Sequence, residues 1–428
     1  MKKTVKNYFT VICGSGFSRG LSFLTSMILA RHMGANNFGI YTIFFTVMML
    51  FWLFPTIIDG IYVRFAKAEK ETERLEYIKT TFLMKCGIFI ILIALAYPLA
   101  YVMAHFAFNK PRLVFDLTAA IIAGASLSIF TSVVGIYQAE EKFHIFSILN
   151  SVFYALVFFL VVVLIFLIHT LTPFVVIMIY SISAVAVGSL GGLYLFRITK
   201  PPFRINFKLL NQMMHFGKWL LGLSFIDLLL QRMDVLVLAR LVSYEELGVY
   251  SVAVRIAMFA MILSAASSAI FMPKGCESLK SRKHLKAYFK ESLAVTLGLS
   301  VAIVALILMA PLLIKLFFGM QYINSLWAPR ALLLDTIFVM LYMPFGYLFL
   351  AKGDTRQLFI FMSIKLALTI IAMLILVPRF GVLGAALAFA TASFLCLLIV
   401  VLRSSQVVRV SLEAMKEREV LGSVNESF

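Results

Sequence analysis

Three arginines stand in stretches of chain that are otherwise apolar: Arg19, Arg232 and Arg255. A guanidinium stays charged at any physiological pH and grips a phosphate through two parallel hydrogen bonds, so arginines in such a setting suit a diphosphate better than a neutral sugar. Polar residues accompany them at helical spacing. Ser15, Ser18, Ser22 and Thr25 fall on one face around Arg19, and Ser224, Asp227, Gln231 and Asp234 form a second stripe beside Arg232. Ser15, Ser22 and Gln231 are expected to join the arginines in binding. Asp227 and Asp234, with Asp59 further along, are the groups suited to ion coupling or gating. The competing reading is structural: hydroxyls that pack helices together, and charges that hold helices to one another as ion pairs. Asp227 and Asp234 are seven residues apart on one face while Arg232 points away from both, so their partners are expected on other elements. Asp59, Asp335 and Lys365 lie near enough to the ends of apolar runs for snorkelling to account for them.

The elements that carry these residues follow from composition. Of 428 residues, 62% are hydrophobic and 14% charged, far from the balance of a soluble domain of this length. Lipid must cover what polar side chains do not. Apolar runs of about 20 residues, enough to cross about 30 Å of hydrocarbon as a helix, recur along the whole chain. The pattern predicts spans at about 8 to 30, 39 to 60, 80 to 104, 114 to 136, 144 to 168, 173 to 196, 216 to 239, 249 to 271, 291 to 314, 328 to 350, 358 to 377 and 381 to 402. Runs such as Val157 to Ile168 show none of the alternation of a transmembrane barrel, so the spans are helical. The first follows Lys2, Lys3 and Lys6 without a small-residue cleavage site and is expected to be retained.

Basic residues crowd into alternate connections: Arg64 to Lys79, Arg197 to Lys218, Lys274 to Lys290, and the tail beyond Arg403. The other connections hold little beyond Arg31, Lys110, Arg112, Arg240, Lys315, Arg330 and Arg379. By the positive-inside rule both termini and the basic connections are cytoplasmic, so the net charge of +18 is mostly topology. Anionic lipid headgroups are the neighbours this implies, and no nucleic-acid module is present to suggest otherwise. Ala66 to Lys79, alternating acid and base, reads as a surface helix connecting spans. Cys13, Cys86, Cys276 and Cys396 have no paired or metal-type spacing and read as inert fillers; the six histidines are equally scattered. No cofactor is expected, and a phosphate-cradling glycine loop for ATP is absent.

The turn LARHMGANNFGIY at 29 to 41 returns as LARLVSYEELGVY at 238 to 250, matching Leu29 with Leu238, Arg31 with Arg240, Gly39 with Gly248 and Tyr41 with Tyr250. The offset of 209 residues is close to half the chain. Pro98 and Pro311 repeat at a similar spacing. Each half holds an even number of spans, so the repeat is parallel, with lobes at 1–200 and 201–405 and a cytoplasmic tail at 406–428. Gly34 and Gly39 are expected to allow a tight turn between spans one and two. A wet cavity lined by spans one, two, seven and eight would gather the three arginines.

The repeated LAR…G.Y unit, the run APLLIKLFFG from Ala310 to Gly319, about twelve spans and basic inner connections together resemble the Wzx-type polysaccharide flippases of the multidrug/oligosaccharidyl-lipid/polysaccharide exporter superfamily. The resemblance implies an all-α polytopic fold of two parallel six-helix bundles in a V. It implies alternating access in a bacterial cytoplasmic membrane, and a cargo built on undecaprenyl diphosphate with an O-antigen or other sugar unit attached. A proton or sodium gradient would drive it; other polysaccharide-assembly membrane proteins are its expected neighbours. The cavity arginines implied by the resemblance fall on Arg19, Arg232 and Arg255. Two alternatives differ in kind. A multidrug exporter of the same superfamily would use acidic groups without mid-span arginines. A membrane polymerase or ligase would need a long outer loop, but the stretches His105 to Leu113 and Lys315 to Trp327 are short and carry no nucleophile with a base.

Overall fold

The computed structural model describes residues 2–65, 71–168, 170–199, 207–278, 281–351 and 355–425, with side chains over a smaller set. Ten α-helices follow one another: α1 (Lys2–Phe65), α2 (Glu71–Val102), α3 (Val114–Ala139), α4 (Phe143–Ile168), α5 (Pro173–Thr199), α6 (Phe207–Leu241), α7 (Tyr244–Ser278), α8 (Arg282–Leu313), α9 (Trp327–Ala351) and α10 (Thr355–Asn425). Two are double. α1 bends at Gly34, whose φ of 72° is open to glycine and costly for other residues, and α10 bends at Gly381 with φ 55°. Each bent helix therefore supplies two segments, and the described residues make twelve helical segments of membrane length. Among the described residues eight helices are long and apolar enough to cross a bilayer by composition alone. The other two, α6 and α7, carry Asp227, Arg232, Asp234 and Arg255.

Backbone contacts gather the chain into two compact units, Met1–Gly248 and Val249–Phe428. In the first, α3 is the central element: 78% of its apolar window is buried, against 11% for α2 and 17% for α4, which turn their apolar surfaces to lipid. Ala120, Ala123, Gly124, Ala125 and Ser128 keep α3 slim enough for α1, α2 and α5 to close around it. The Tyr137 hydroxyl donates to the Gly191 carbonyl at 2.7 Å and fastens α3 to α5. α6 groups with this unit by packing on α1. In the second unit α9 packs along α10 and α8, and the Tyr288 hydroxyl donates to the Pro344 carbonyl at 2.8 Å.

The internal repeat is visible in backbone shape. α2 and α8, each with a proline near its end (Pro98, Pro311), both run into a single π-helical turn, at Met103–Ala107 and Ile314–Phe318. The repeated turns also meet one another. A Cβ on Gly39 would lie 1.8 Å from the carbonyl oxygen of Tyr244, and one on Gly248 would lie 1.9 Å from that of Ala35. Ala35 and Tyr244 are themselves equivalents at the same 209 offset. Each copy thus rests its glycine on the same carbonyl of the other. Gly34 alone makes the bend expected of the pair, while Gly39 is helical and serves this crossing. Of the other sequence expectations, the side chain of Cys276, residues 66–70 of the connector and the side chains of the tail beyond Leu402 lie outside the described residues.

Candidate functional site

The polar face of α1 divides once its neighbours are in place. Ser18 and Thr25 are buried, and each hydroxyl donates to the carbonyl four residues back, Gly14 and Leu21, at 2.8 Å. These two are packing positions that satisfy themselves within the helix. Ser15 and Ser22 are half-buried and Arg19 is exposed. Among the described residues no carboxylate pairs with Arg19, whose charge acts electrostatically on the hydroxyl of Tyr154 on α4. Ser22 and Tyr154 line a small hollow inside the first unit, walled by Phe45, Trp52 and Tyr180. Trp52 is oriented there by an indole hydrogen bond to the Thr131 hydroxyl at 3.3 Å. The hollow is thus lined by two hydroxyls and aromatic faces, and the Arg19 charge reaches one of those hydroxyls, that of Tyr154.

On α6 the second stripe is arranged otherwise. The Gln231 amide donates to Asp227 at 2.7 Å, so the partner of Asp227 lies four residues along its own helix, contrary to the sequence expectation. Asp234 is buried, takes a hydrogen bond from the Val235 amide at 2.8 Å and acts electrostatically on Arg232 two residues away. The Arg232 Nε is buried without a hydrogen-bond partner. Arg19, Arg232, Ser15, Ser22, Gln231, Asp227, Asp234 and Asp59 all belong to the first unit. Arg255 belongs to the second, where its Nη1 donates to the Ser251 carbonyl at 3.0 Å and its charge acts on buried Tyr322.

Snorkelling is not what Asp59 and Lys365 do. Asp59 meets the Lys85 ammonium on α2 at 2.6 Å, with Lys85 fully buried and Asp59 18% exposed. Gly135 on α3 leaves room for that carboxylate: a Cβ there would stand 3.6 Å from Asp59 Cγ. Lys365 is also buried and donates to the Tyr342 hydroxyl at 3.2 Å, with Asp335 near enough to act on it electrostatically. Sequence reasoning passed over Lys85 and Tyr342. The signal for Lys85 was a lysine within an apolar run; nothing in the sequence marked Tyr342.

The family model for polysaccharide biosynthesis proteins matches residues 4–273, more than half of the chain. The chain belongs to the polysaccharide biosynthesis protein family. The matched residues take in the polar stripes of both α1 and α6, the Asp59–Lys85 pair and Arg255. No curated protein matches the sequence. Among solved structures, this polysaccharide biosynthesis protein is similar to the lipid II flippase MurJ in an inward closed conformation, at 14% identity and a TM-score of 0.77, over 92% of this chain and 87% of that one. It is also similar to a multidrug resistance transporter of the MATE family, inward-facing, at 13% identity and a TM-score of 0.75, covering 93% of this chain and 95% of that one. The MATE multidrug transporter DinF-BH matches at 16% identity and a TM-score of 0.64, over 93% and 94% of the two chains. These likenesses establish the fold: a multi-pass membrane protein built as the exporters of that superfamily are.

Proposed function

We propose that the protein is a flippase that carries an undecaprenyl-diphosphate-linked oligosaccharide, an O-antigen or other surface polysaccharide unit, from the cytoplasmic to the outer leaflet by alternating access. The observation that supports this best is Arg19. A guanidinium midway along an apolar span costs about 2.5 to 3.5 kcal/mol on insertion scales. Here no carboxylate offsets it within the described residues. An anionic guest does so, and a diphosphate offers the oxygens that a guanidinium fork grips in parallel. Tyr154, which its charge reaches, and Ser22, one turn along α1, supply hydroxyls for a polar group attached to that diphosphate.

Arg232, with an unused buried Nε, and Arg255 are the further phosphate-binding groups in this reading, and Ser15, Ser22 and Gln231 line the path. Asp227, Asp234 and Asp59 carry ion coupling or gating, driven by a proton or sodium gradient. Two six-helix lobes, 1–200 and 201–405, perform the cycle in the bacterial cytoplasmic membrane with both termini and the tail at 406–428 inside. Membrane lipids and other polysaccharide-assembly proteins are the surroundings. No covalent bond is made or broken.

Arg19→Ala is expected to abolish export in a flippase-null strain while the purified protein keeps its elution profile and unfolding midpoint. Full complementation by that variant would overturn the reading. A multidrug exporter is the second reading, favoured by the fold likeness to MATE transporters. Efflux of a cationic dye by reconstituted protein, with no movement of lipid-linked sugar, would establish it instead.

A further inference from the structure

Connections assigned to the outer face are poor in cations, yet the fold collects several of them at one corner. The connection after α2, the end of α6 and the start of α7 come together there. The Arg240 Nη1 donates to the Phe106 carbonyl at 2.8 Å, and the Lys110 ammonium stands 3.9 Å from the centre of the Tyr244 ring. Arg112 is exposed and acts electrostatically on the same tyrosine. Tyr244 in turn offers its carbonyl to the Gly39 crossing, four residues along from Ala35. Arg31 lies four residues before Ala35, across the bend at Gly34, and is the repeat equivalent of Arg240.

The partners of these cations do not neutralise them. A carbonyl oxygen and an aromatic face attract a positive charge and leave it uncancelled. Among the described residues Lys110, Arg112 and Arg240 have no carboxylate within ion-pair distance. Of the acids near by in the chain, Glu246 is taken up by the Ser243 amide and hydroxyl at 3.0 and 2.9 Å, and neither Glu245 nor Asp116 forms an ion pair among the described residues. Burial lowers the pKa of Lys110 from the usual lysine value, which an anion brought alongside would reverse. The positive-inside rule disfavours such a gathering on this face, so topology does not explain it. Fastening the connection to α6 explains Arg240 and Lys110 but leaves exposed Arg112 without a purpose.

We propose that Lys110, Arg112 and Arg240 form a binding site for the phosphate of a lipid headgroup at the outer leaflet, where a flipped diphosphate lipid is held as it leaves. The last clause rests on the flippase reading given above; the phosphate site does not. Arginine forks beside an ammonium on one wall suit a headgroup carrying more than a single charge. Both the diphosphate of a polyprenyl lipid and the phosphate of an anionic phospholipid present this chemistry.

The test uses full-length protein in nanodiscs, with undecaprenyl diphosphate and phosphatidylglycerol as separate probes, and bound lipid read by native mass spectrometry. The triple variant K110Q/R112Q/R240Q is compared with R112K/R240K, which keeps the charge and reports on folding. Loss of about tenfold or more in diphosphate-lipid retention by the triple variant, with most of it kept by the lysine variant and little change for phosphatidylglycerol, is the expected result; a tenfold change corresponds to about 1.4 kcal/mol. Equal loss of both lipids would uphold the phosphate site and overturn its exit role. Unchanged retention of both would overturn the site altogether. Failure of the wild-type protein to flip a lipid-linked sugar, with phosphatidylglycerol still retained at this corner, would count against the flippase reading and not against the site.

Discussion

Among the described residues each compact unit buries one lysine, and the two are treated differently. In the first, Lys85 is fully enclosed and meets the Asp59 carboxylate at 2.6 Å, so the charge is cancelled where it sits. In the second, Lys365 is 8% exposed and has the Tyr342 hydroxyl at 3.2 Å, with the ring centre at 5.5 Å. Asp335 acts on Lys365 only from beyond contact, and its own Oδ1 is buried without a hydrogen bond. A contact pair recovers part of the desolvation cost of both ions, whereas a phenol recovers little of the cost of one. The first arrangement is a direct contact of opposite charges; the second holds its charges apart and leaves a buried carboxylate oxygen of Asp335 without a hydrogen bond. The first ties α1 to α2 for as long as the Asp59 carboxylate stays ionised, which is where gating at Asp59 would act. The second is the kind of site where protonation or movement changes the balance of charge cheaply.

Breaking one side of the closed pair has the largest expected effect. Asp59→Asn strands a buried ammonium and is expected to remove about 3 to 5 kcal/mol of stability, read as a lowered unfolding midpoint in detergent. The double variant D59L/K85M, which removes both charges, is expected to recover most of that loss; equal losses in the single and double variants would show that packing at this spot, not charge, is what matters. An intermediate effect belongs to Tyr342→Phe, which removes the acceptor of Lys365 and is expected to cost about 1 to 3 kcal/mol. The smallest is Lys365→Met, expected within about 1 kcal/mol of the native protein, because the buried charge and its desolvation cost are removed together. In that background Tyr342→Phe should cost nothing further. A loss in Lys365→Met as large as that of Asp59→Asn would erase the distinction between the two sites.

The spans were legible in the sequence because apolar length is a local property: each run of about 20 residues declares itself without reference to any other. The bend at Gly34 was legible for the same reason, and the repeat of Arg31 to Tyr41 in Arg240 to Tyr250 because two stretches of the chain can be compared letter by letter. The α1 and α6 stripes could be placed on helix faces but not assigned to neighbours. Ser18 and Thr25 share a face with Ser15, Arg19 and Ser22, and only the packing of adjacent helices separates the buried pair from the rest. Asp59 and Lys85 are 26 residues apart on different helices, and nothing in either run names the other. Gly39 was read as a turn residue because glycine's freedom of φ is the commoner reason for its presence. Its actual use, to let a carbonyl approach where a methyl group would not fit, requires the partner helix to be known.

The reciprocal crossing of Gly39 and Gly248 has an implication for how duplicated halves diverge. An alanine at either position would collide with the opposite backbone, so each copy constrains a single atom in the other. Along α1 and α6 the equivalent positions differ, Ser18 against Asp227 and Thr25 against Asp234, while glycine stands at both points of contact. Any motion that parts the two strokes of the crossing must also release both together, since they are one contact seen from either side.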